Sequence, residues 1–345
     1  MRPLAAAAVV LAVGSGAMTP SAARATQDGV REVAVPKAAR AAIVKRPTTV
    51  IGSGMPRSCT SAKVVKAVHK GGVITFDCGR KPVVIKMNKT AKVWNTRKKV
   101  VIDGGNKVTL DGRGKRRIIY MHTCDKRQRW ATEHCQRQSF PRLVVQNITL
   151  RNGYAAGRTD QDGGGAILAR GGHFKAVNVT FRNNRCAKVG PDVGGAGLRI
   201  GSGYAHRPNY VVNSTFTGGR CSNGGGISLW NASLRVYNSR FENNKAIGHG
   251  LNPARKGTPG GGSGGAIYAD VFDQRLRVAG TLMRRNSGRS SSGAVFFVSN
   301  NRVGSLAVRR STLVNNPDPA HSRGFPGIYH LGRHPRPVIV DSIVR

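Results

Sequence analysis

The sequence predicts an all-β fold, a right-handed parallel β-helix (solenoid) of roughly eight coils with a short N-terminal cap. Two half-motifs alternate along the 345-residue chain. The first is a glycine pair followed by a small residue and an apolar run, as in GGAIL at 164, GGAGL at 194 and GGAIY at 264. The second is a β-branched run that ends in Asn-Asn, as in VNVTFRNNR at 177 and YNSRFENNK at 237. Neither short strand can bury its apolar face alone, so we expect successive units to stack.

The spacing of the glycine half-motif sets the expected length of a coil. Its second positions are spaced 30, 30, 40, 28 and 34 residues apart and are Gly165, Gly195, Gly225, Gly265, Gly293 and Gly327. A propeller blade needs four strands per repeat, and about 30 residues is short for that. One elongated domain over residues 59–345 therefore fits the pattern better than two globular domains.

The second half-motif predicts structural columns inside the solenoid. The aromatic or aliphatic residue before each turn is expected in the core, and these residues are Phe181, Phe216, Phe241, Met283 and Leu313. The Asn-Asn pairs that begin at 183, 243 and 315 are expected to stack as a structural ladder, because asparagine tolerates left-handed backbone geometry.

The N-terminal residues predict an export signal followed by a linker. The apolar stretch 4–13 and the small residues near 23–25 predict a signal peptide over 1–25, and hence a secreted protein. No stretch approaches the about 18 apolar residues of a membrane span, so we expect no transmembrane anchor. Residues 26–58 lack periodicity and are expected to form a flexible basic arm. Valines on one side of 61–69 predict a short capping helix.

Six cysteines in an exported chain predict disulfides rather than metal ligation. Cys186 follows Phe181 by five residues, and Cys221 follows Phe216 by five. The two cysteines should therefore lie on adjacent coils, at roughly the 5.5 Å Cα separation of a disulfide. Among the roughly fifteen connectivities that six cysteines allow, sequence proximity favours two further pairs. These are Cys59–Cys78 and Cys124–Cys135.

The formal net charge of +41 predicts a polyanionic partner. Such a field attracts acidic polysaccharide, teichoic acid, nucleic acid or an anionic surface. The alternative is that the charge only keeps the protein soluble. Basic clusters occur as GRGKRR at 112 and KRQR at 126, and solvated loops are their default explanation. No base-stacking module or known DNA-binding motif is present, so nucleic acid ranks below polysaccharide.

The glycine-punctuated coils, the VVIDGGNKVTLDG segment at 100 and the Asn-Asn turns resemble the pectate-lyase-like right-handed β-helix superfamily, over about residues 71–345. The GGAI and F-x-x-N pairs are also similar to the repeats of chlamydial polymorphic outer membrane proteins. The whole chain resembles secreted β-helix proteins of actinobacteria and myxobacteria. The resemblance implies the fold, whereas the superfamily contains lyases, hydrolases, epimerases, adhesins and inert spikes.

Carboxylates near the glycine anchors form a candidate Ca²⁺ site. Asp162 and Asp192 each precede an anchor glycine by three residues, so we expect them to stack on neighbouring coils with Asp160 nearby. A Ca²⁺ ion that bridges them to a uronate carboxylate would resemble substrate binding in pectate-lyase-like enzymes. In the alternative, each aspartate accepts hydrogen bonds from its own glycine turn.

Side chains after the anchor glycines form a candidate substrate-binding strip. Strand alternation places them on one face of a sheet, either outward as a sugar-binding strip or inward as ordinary core. The proposed strip comprises Trp230, Tyr268, Phe296 and His330, flanked by Arg170 and Asp270. The substrate-binding residues we select are Arg170, Trp230, Tyr268 and Asp270.

The coil between Gly225 and Gly265 carries about ten extra residues, AIGHGLNPARKGTPGGG, which should form a loop on one side of the solenoid. Arg255 or Lys256 is the candidate base or substrate clamp, and His249 is the alternative acid/base group. A solvated variable loop is the competing interpretation.

These features predict a secreted, monomeric protein that binds an acidic polysaccharide and cleaves it by β-elimination. Elimination needs a cation to neutralise the uronate carboxylate and a base to remove the adjacent proton. The alternative is a noncatalytic, adhesin-like protein that binds cell-wall or cell-surface polyanions. Hydrolysis would need two carboxyl groups about 5 to 9 Å apart, which Asp162 with Asp192 or Asp270 with Asp273 could provide, but neither pair lies in a polygalacturonase-like motif.

Overall fold

The computed structural model describes residues 30–157, 162–201, 207–319 and 325–345. The predicted signal peptide, residues 1–25, lies outside these ranges. The described residues form one α-helix and 29 β-strands. None of the helices in these ranges is long and apolar enough to cross a membrane.

The helix α1 spans Ser61–Lys70, where the valine pattern predicts it. Thr60 caps its N-terminus by accepting a hydrogen bond from the Lys63 amide. Gly71, at φ 77°, ends it in a conformation that favours glycine. The buried side of α1 covers the first coil and closes that end of the core.

The strands of the first half are β1 (Thr49–Gly52), β2 (Gly72–Asp77), β3 (Val83–Lys86), β4 (Ala91–Val93), β5 (Lys99–Asp111), β6 (Ile119–His122), β7 (Arg142–Arg151), β8 (Tyr154–Ala155), β9 (Ile167–Arg170), β10 (His173–Arg182), β11 (Arg185–Cys186), β12 (Leu198–Gly201), β13 (Asn209–Val212), β14 (Thr215–Thr217) and β15 (Arg220–Cys221). Those of the second half are β16 (Ile227–Trp230), β17 (Leu234–Tyr237), β18 (Arg240–Glu242), β19 (Lys245–Ala246), β20 (Ile267–Asp270), β21 (Arg275–Ala279), β22 (Leu282–Arg284), β23 (Ser287–Gly288), β24 (Val295–Val298), β25 (Ser305–Arg309), β26 (Thr312–Val314), β27 (Ile328–Leu331), β28 (Val338–Val340) and β29 (Ile343–Val344).

The strands form three parallel sheets of sixteen, eight and five strands. The eight-stranded sheet has the order β27-β24-β20-β16-β12-β9-β6-β4, and the five-stranded sheet has the order β23-β19-β15-β11-β8. Each coil contributes a strand to each sheet in turn. In one coil, β9 lies in the eight-stranded sheet, β10 in the sixteen-stranded sheet and β11 in the five-stranded sheet. The next coil begins with β12, which pairs with β9. The fold is therefore a parallel β-helix, as predicted.

Side chains that share a register stack along the core. Phe181, Phe216 and Phe241 occupy one column, with ring centroids 4.3 and 4.7 Å apart. Met283 and Leu313 continue it, and all five residues are buried, as expected. Each ring covers the next, so the column excludes water over several coils.

Asn244 and Asn316, the second asparagines of their turns, form a buried ladder with Asn286, which follows Arg285. Asn244 donates to Oδ1 of Asn286 at 2.9 Å, and Asn286 donates to Oδ1 of Asn316 at 2.9 Å. The first asparagine of a turn adopts positive φ, 56° at Asn243 and 54° at Asn315. The predicted structural role of these pairs is confirmed.

All three predicted disulfides are present. The Cα–Cα distance is 4.7 Å between Cys186 and Cys221, which lie on adjacent strands of the five-stranded sheet. The distances are 5.7 Å for Cys59–Cys78 and 5.0 Å for Cys124–Cys135. Three disulfides are compatible with an extracellular protein.

Part of the segment expected as a flexible basic arm packs against the solenoid. Strand β1 pairs with β2 in the sixteen-stranded sheet. Upstream, the backbone of Ala42 exchanges hydrogen bonds with the Gln146 side chain, and that of Val33 does so with Asn238. These backbone groups find partners on the outer surface of the sheet, so residues 30–58 follow it rather than extending freely.

Candidate functional site

The eight-stranded sheet has an inward and an outward face, because side chains alternate along each strand. On strand β20, Ile267 and Ala269 point into the main core, whereas Tyr268 and Asp270 point away from it. Paired residues on the neighbouring strands follow the same rule, which creates two outward columns. The first contains Tyr120, Leu168, Arg199, Ser228, Tyr268, Phe296 and Tyr329. The second contains His122, Arg170, Gly201, Trp230 and Asp270, and the paired residues Val298 and Leu331 lie on the last two strands of the same face.

The observed register corrects two sequence expectations. Ile167 pairs with Leu198, so these coils are offset by one residue from the alignment of Gly165 with Gly195. Accordingly Gly163 pairs with Gly194, and Asp162 does not share a register with Asp192. His330 pairs with the core residue Phe297 and stacks on it, so His330 lies on the inward side rather than in the outward strip.

The four selected substrate-binding residues all lie on the outward face. Arg170 is buried, and its guanidinium lies 5.3 Å from the centre of the half-buried Trp230 ring. Gly201 separates these two side chains in their column and has no side chain of its own, which leaves room for the contact. Asp270 follows Trp230 in the same column, and Tyr268 donates a 2.7 Å hydrogen bond to the Asp270 carboxylate.

His122 extends this column at its N-terminal end and pairs with Arg170. Its Nε2 lies 3.3 Å from Nη1 of Arg170, and its Nδ1 faces the Cys124 amide at 3.2 Å. Burial, together with the charge of Arg170, lowers the pKa of His122 from 6.5 to about 4. The imidazole is therefore neutral at pH 7 and retains a lone pair that can accept a proton.

Tyr120 lies beside His122, with ring centroids 5.8 Å apart. Its hydroxyl donates to Asp125 at 3.0 Å, and burial followed by the Asp125 charge raises the pKa of Tyr120. Burial alone would raise the pKa of Asp125, but hydrogen bonds from Arg127 and Tyr120 lower it to about 2. Tyr120 thus keeps its proton and Asp125 stays ionised near neutral pH.

A buried polar cluster occupies the middle of the same face. Arg199 is 2% exposed and donates a 2.7 Å hydrogen bond to Ser228. Burial lowers the pKa of its guanidinium, and Tyr268, Asp192 and Asp270 oppose that effect. Burial also raises the pKa of Asp270, while hydrogen bonds from neighbouring donors offset part of the rise.

The predicted insertion forms a loop that reaches this cluster through Asn252. The Asn252 amide donates to Asp192 at 2.8 Å, to Asp270 at 2.9 Å and to the Tyr268 hydroxyl at 3.1 Å. An antiparallel bridge joins His249 to Gly260 at the base of the loop. Asn252 therefore docks the loop onto the outward face.

The three catalytic candidates selected from the sequence, Arg255, Lys256 and His249, are solvent-exposed on this loop. Arg255 and Lys256 follow Asn252 at the tip, where the backbone amide of Arg255 bonds the Gly250 carbonyl. The structure thus places them at the rim of the outward face, and other residues of the insertion make the contacts with the buried cluster.

The carboxylates expected to bind Ca²⁺ engage donors of the protein itself. Asp162 lies 3.9 Å from the Arg117 guanidinium, and Asp192 accepts from Asn252. Asp160 lies outside the described residues. In the part of the chain that the structure describes, no three His, Cys, Asp or Glu side chains come together as possible metal ligands. The described residues thus show no such cluster, and Ca²⁺ binding stays a prediction.

Sequence reasoning missed Tyr120, His122, Arg199 and Asn252. The segment IYMH that supplies Tyr120 and His122 has the alternation of the later coils but no glycine pair before it. Pairing of β6 with β9 would have identified it, because Tyr and His then occupy the two outward columns.

The outward face can bind an anion and move protons. Arg170 supplies a fixed positive charge next to a neutral imidazole, a protonated phenol and an aromatic ring. Nε of Arg170 is buried and makes no hydrogen bond to the described residues. Comparison of the chain with protein-family models, curated proteins and solved structures finds no match.

Proposed function

We propose that this protein is secreted, that it binds an acidic polysaccharide on the outward face of the eight-stranded sheet and that it cleaves the polymer by β-elimination. The observation that carries the proposal is the position of the Arg170 guanidinium between the neutral imidazole of His122, at 3.3 Å, and the Trp230 ring, at 5.3 Å. This arrangement joins a carboxylate-binding group, a base and a sugar-stacking surface on three paired or near-neighbour strands.

Arg170 is the proposed carboxylate-binding group. A guanidinium binds a carboxylate through charge-assisted, bidentate hydrogen bonds. Neutralising the uronate carboxylate acidifies the proton on the adjacent ring carbon, which is the demanding step of the elimination. The half-buried Trp230 ring offers its apolar surface to the neighbouring sugar.

His122 is the proposed base and Tyr120 the proposed acid. When Arg170 turns to the substrate carboxylate, Nε2 of His122 loses its neighbour and accepts the proton from the ring carbon. The C–O bond on the next carbon breaks as the C=C bond forms. Tyr120, whose pKa is raised by burial, retains a proton near neutral pH and donates it to the leaving oxygen.

The insertion loop is the proposed rim of the binding cleft. Asn252 fixes the loop against Asp270, which pairs with Trp230 on the adjacent strand. Arg255 and Lys256 are exposed at the tip and act as clamps for polymer carboxylates on either side of the cleaved bond. His249 remains the alternative acid/base group on the loop.

The noncatalytic alternative rests on the net charge of +41, which by itself draws polyanions to the surface. An absorbance assay for unsaturated uronate product distinguishes the two functions. It is carried out on polygalacturonate and on alginate, with added Ca²⁺ and with chelator. We expect product from the wild type, loss of product with retained polymer binding for Tyr120→Phe, and loss of both for Arg170→Gln.

The matched control is Arg277→Gln, which removes an exposed arginine from the sixteen-stranded sheet and should leave turnover unchanged. Absence of product on every uronate polymer, together with salt-sensitive retention on heparin, would overturn the lyase proposal and favour the noncatalytic alternative. Equal polymer binding by wild type and Arg170→Gln would remove Arg170 from the binding role.

A further inference from the structure

The five-stranded sheet carries a column of basic side chains far along the coil from the face described above. Arg185 pairs with Arg220, and Arg220 pairs with Lys245, so the three lie on consecutive coils in one register. All three are exposed, while the following residue on each strand is buried. The two-residue strands thus force these cations outward.

This basic ladder places like charges next to one another on a rigid scaffold. Adjacent strands are about 4.8 Å apart, and like charges directly opposite each other destabilise a sheet. The nearby carboxylates are engaged elsewhere. Glu242 pairs with Arg284 at 2.6 Å, and Asp111 pairs with Arg151 at 2.8 Å.

Two grooves flank the ladder. One has a volume of about 380 Å³ and is lined by the three cations and by Asn152, Asn183 and Asn243. The other, of about 350 Å³, is lined in part by Arg185, Arg220, Tyr154 and Lys188. No carboxylate lines either groove among the described residues.

The basic cluster GRGKRR continues the ladder at its N-terminal end. Gly114, from this cluster, lines the second groove. Its position is so close to the Arg185 guanidinium that a Cβ on Gly114 would lie 3.0 Å from Nη2. Arg113 and Lys115, which flank Gly114, are both exposed. The positive surface therefore extends beyond the three paired strands.

We infer that this ladder is a second binding track, which holds a linear acidic polysaccharide parallel to the solenoid axis and does not take part in its cleavage. The track goes beyond the proposed function, because it lies on a different sheet and its binding needs none of the lyase residues. Repeating carboxylates of the polymer relieve the repulsion between cations that the fold fixes one coil apart.

The groove chemistry favours a polysaccharide over a nucleic acid. Sites for single-stranded nucleic acid interleave basic side chains with aromatic platforms, and Tyr154 is the one aromatic residue in the described linings of these grooves. The exposed side chains of Asn183 and Asn243 instead present amide groups along the ladder, whereas the Asn152 amide donates to Asp111. Amides can both donate to and accept from sugar hydroxyls.

The test compares two charge-matched triple variants of the full chain. The first is Arg185→Gln, Arg220→Gln and Lys245→Gln. The control is Arg275→Gln, Arg277→Gln and Arg309→Gln, which removes three exposed cations from the sixteen-stranded sheet. The probes are a fluorescent galacturonate decamer and a fluorescent thymidylate oligonucleotide, titrated at several salt concentrations. Because the ladder substitutions relieve repulsion, the ladder variant should unfold no earlier than wild type.

We expect the ladder variant to bind the decamer at least about tenfold more weakly, with a salt slope lower by about 2. The control should lose less than about threefold. Equal losses of decamer affinity in the two variants would overturn the proposed track. If the oligonucleotide binds more tightly than the decamer and its binding depends on the ladder, the assignment of the track to polysaccharide is wrong. If the triple variant misfolds, the single variants Arg220→Gln and Arg277→Gln are compared instead. Arg220→Gln should then lose more affinity for the decamer than Arg277→Gln.

Product formation separates this inference from the proposed function. The ladder variant should keep the wild-type rate of product formation on saturating short substrate. If the wild type forms no product but binds the decamer through the ladder, the track stands and the lyase proposal fails. If product formation falls in step with binding at saturation, the track is part of the cleavage site and the inference is wrong.

Discussion

Replacing His122 with glutamine tests the electrostatic basis of the proposed base. The imidazole is held between two donors, the Arg170 guanidinium and the Cys124 amide. A protonated ring would turn an N–H toward each of them, so the folded protein resists protonation. Glutamine does not titrate, and its side-chain oxygen can still accept a hydrogen bond from Arg170.

The magnitude follows from the pKa of His122, which burial and the Arg170 charge lower from 6.5 to about 4. Between these two values the unfolded chain binds more protons than the folded one, so stability is full above pH 6.5 and falls as the pH falls toward 4. At about 1.4 kcal/mol per pKa unit, the difference amounts to about 3 kcal/mol. Solvent screens part of this at a half-buried side chain, so we expect about 2 kcal/mol.

The assay is urea unfolding of wild type and His122→Gln at pH 7.0 and pH 4.5. On acidification, the free energy of unfolding of the wild type should fall by about 2 kcal/mol more than that of His122→Gln. Tyr120→Phe is the control, because it removes the adjacent hydroxyl and keeps the imidazole, and it should behave as wild type. If wild type and His122→Gln lose the same free energy within about 0.5 kcal/mol, the imidazole is not held neutral and the proposed base loses its physical basis.

Three further stability predictions test the packing of the fold. Asn252→Ala removes the donor that Asp192, Asp270 and the Tyr268 hydroxyl share and should cost about 2 kcal/mol in urea unfolding, whereas Lys256→Ala, at the exposed tip, should cost less than about 0.5 kcal/mol. Phe216→Ala removes the middle ring of the aromatic column and should cost about 3 to 5 kcal/mol, and a loss below 1 kcal/mol would contradict the continuous stack. Replacing Cys186 and Cys221 with serine opens a bridge over 35 residues and should cost about 3 to 4 kcal/mol in urea unfolding without reductant, and a cost below about 1 kcal/mol would contradict this role of the bridge.

The fold could be predicted because its repeat includes segments of constant length. Five residues separate the core aromatic from the cysteine on both coils, and the structure pairs Phe181 with Phe216 and bridges Cys186 to Cys221. Hydrophobic stacking fixes one column, so residues at the same distance from it must meet. The Asn ladder was predictable for the same reason.

The glycine half-motif predicted the register of the coils less well, because its glycine run varies in length. The chain has three glycines at 163–165 but two at 194–195, and either glycine of a pair can serve as the anchor in an alignment. The structure uses Gly164 and Gly195, at φ 63° and 77°, as the left-handed residues before the strand. Composition does not reveal which glycine takes that conformation, and a slip of one residue exchanges the two faces of a strand.

That slip explains why Arg199 was difficult to place and what it does. In the alignment from Gly195, Arg199 falls four residues after its anchor glycine and would therefore point inward if the strip pointed outward. The observed register puts Arg199 in the outward column between Leu168 and Ser228. It is nevertheless buried, on the part of the face where Asn252 bonds Asp192 and Asp270. Nearby carboxylates offset the cost of burying this guanidinium, and Asp192 and Asp270 supply them. The loop therefore docks onto the centre of the outward face, and the proposed pair of Arg170 and His122 lies toward its N-terminal end.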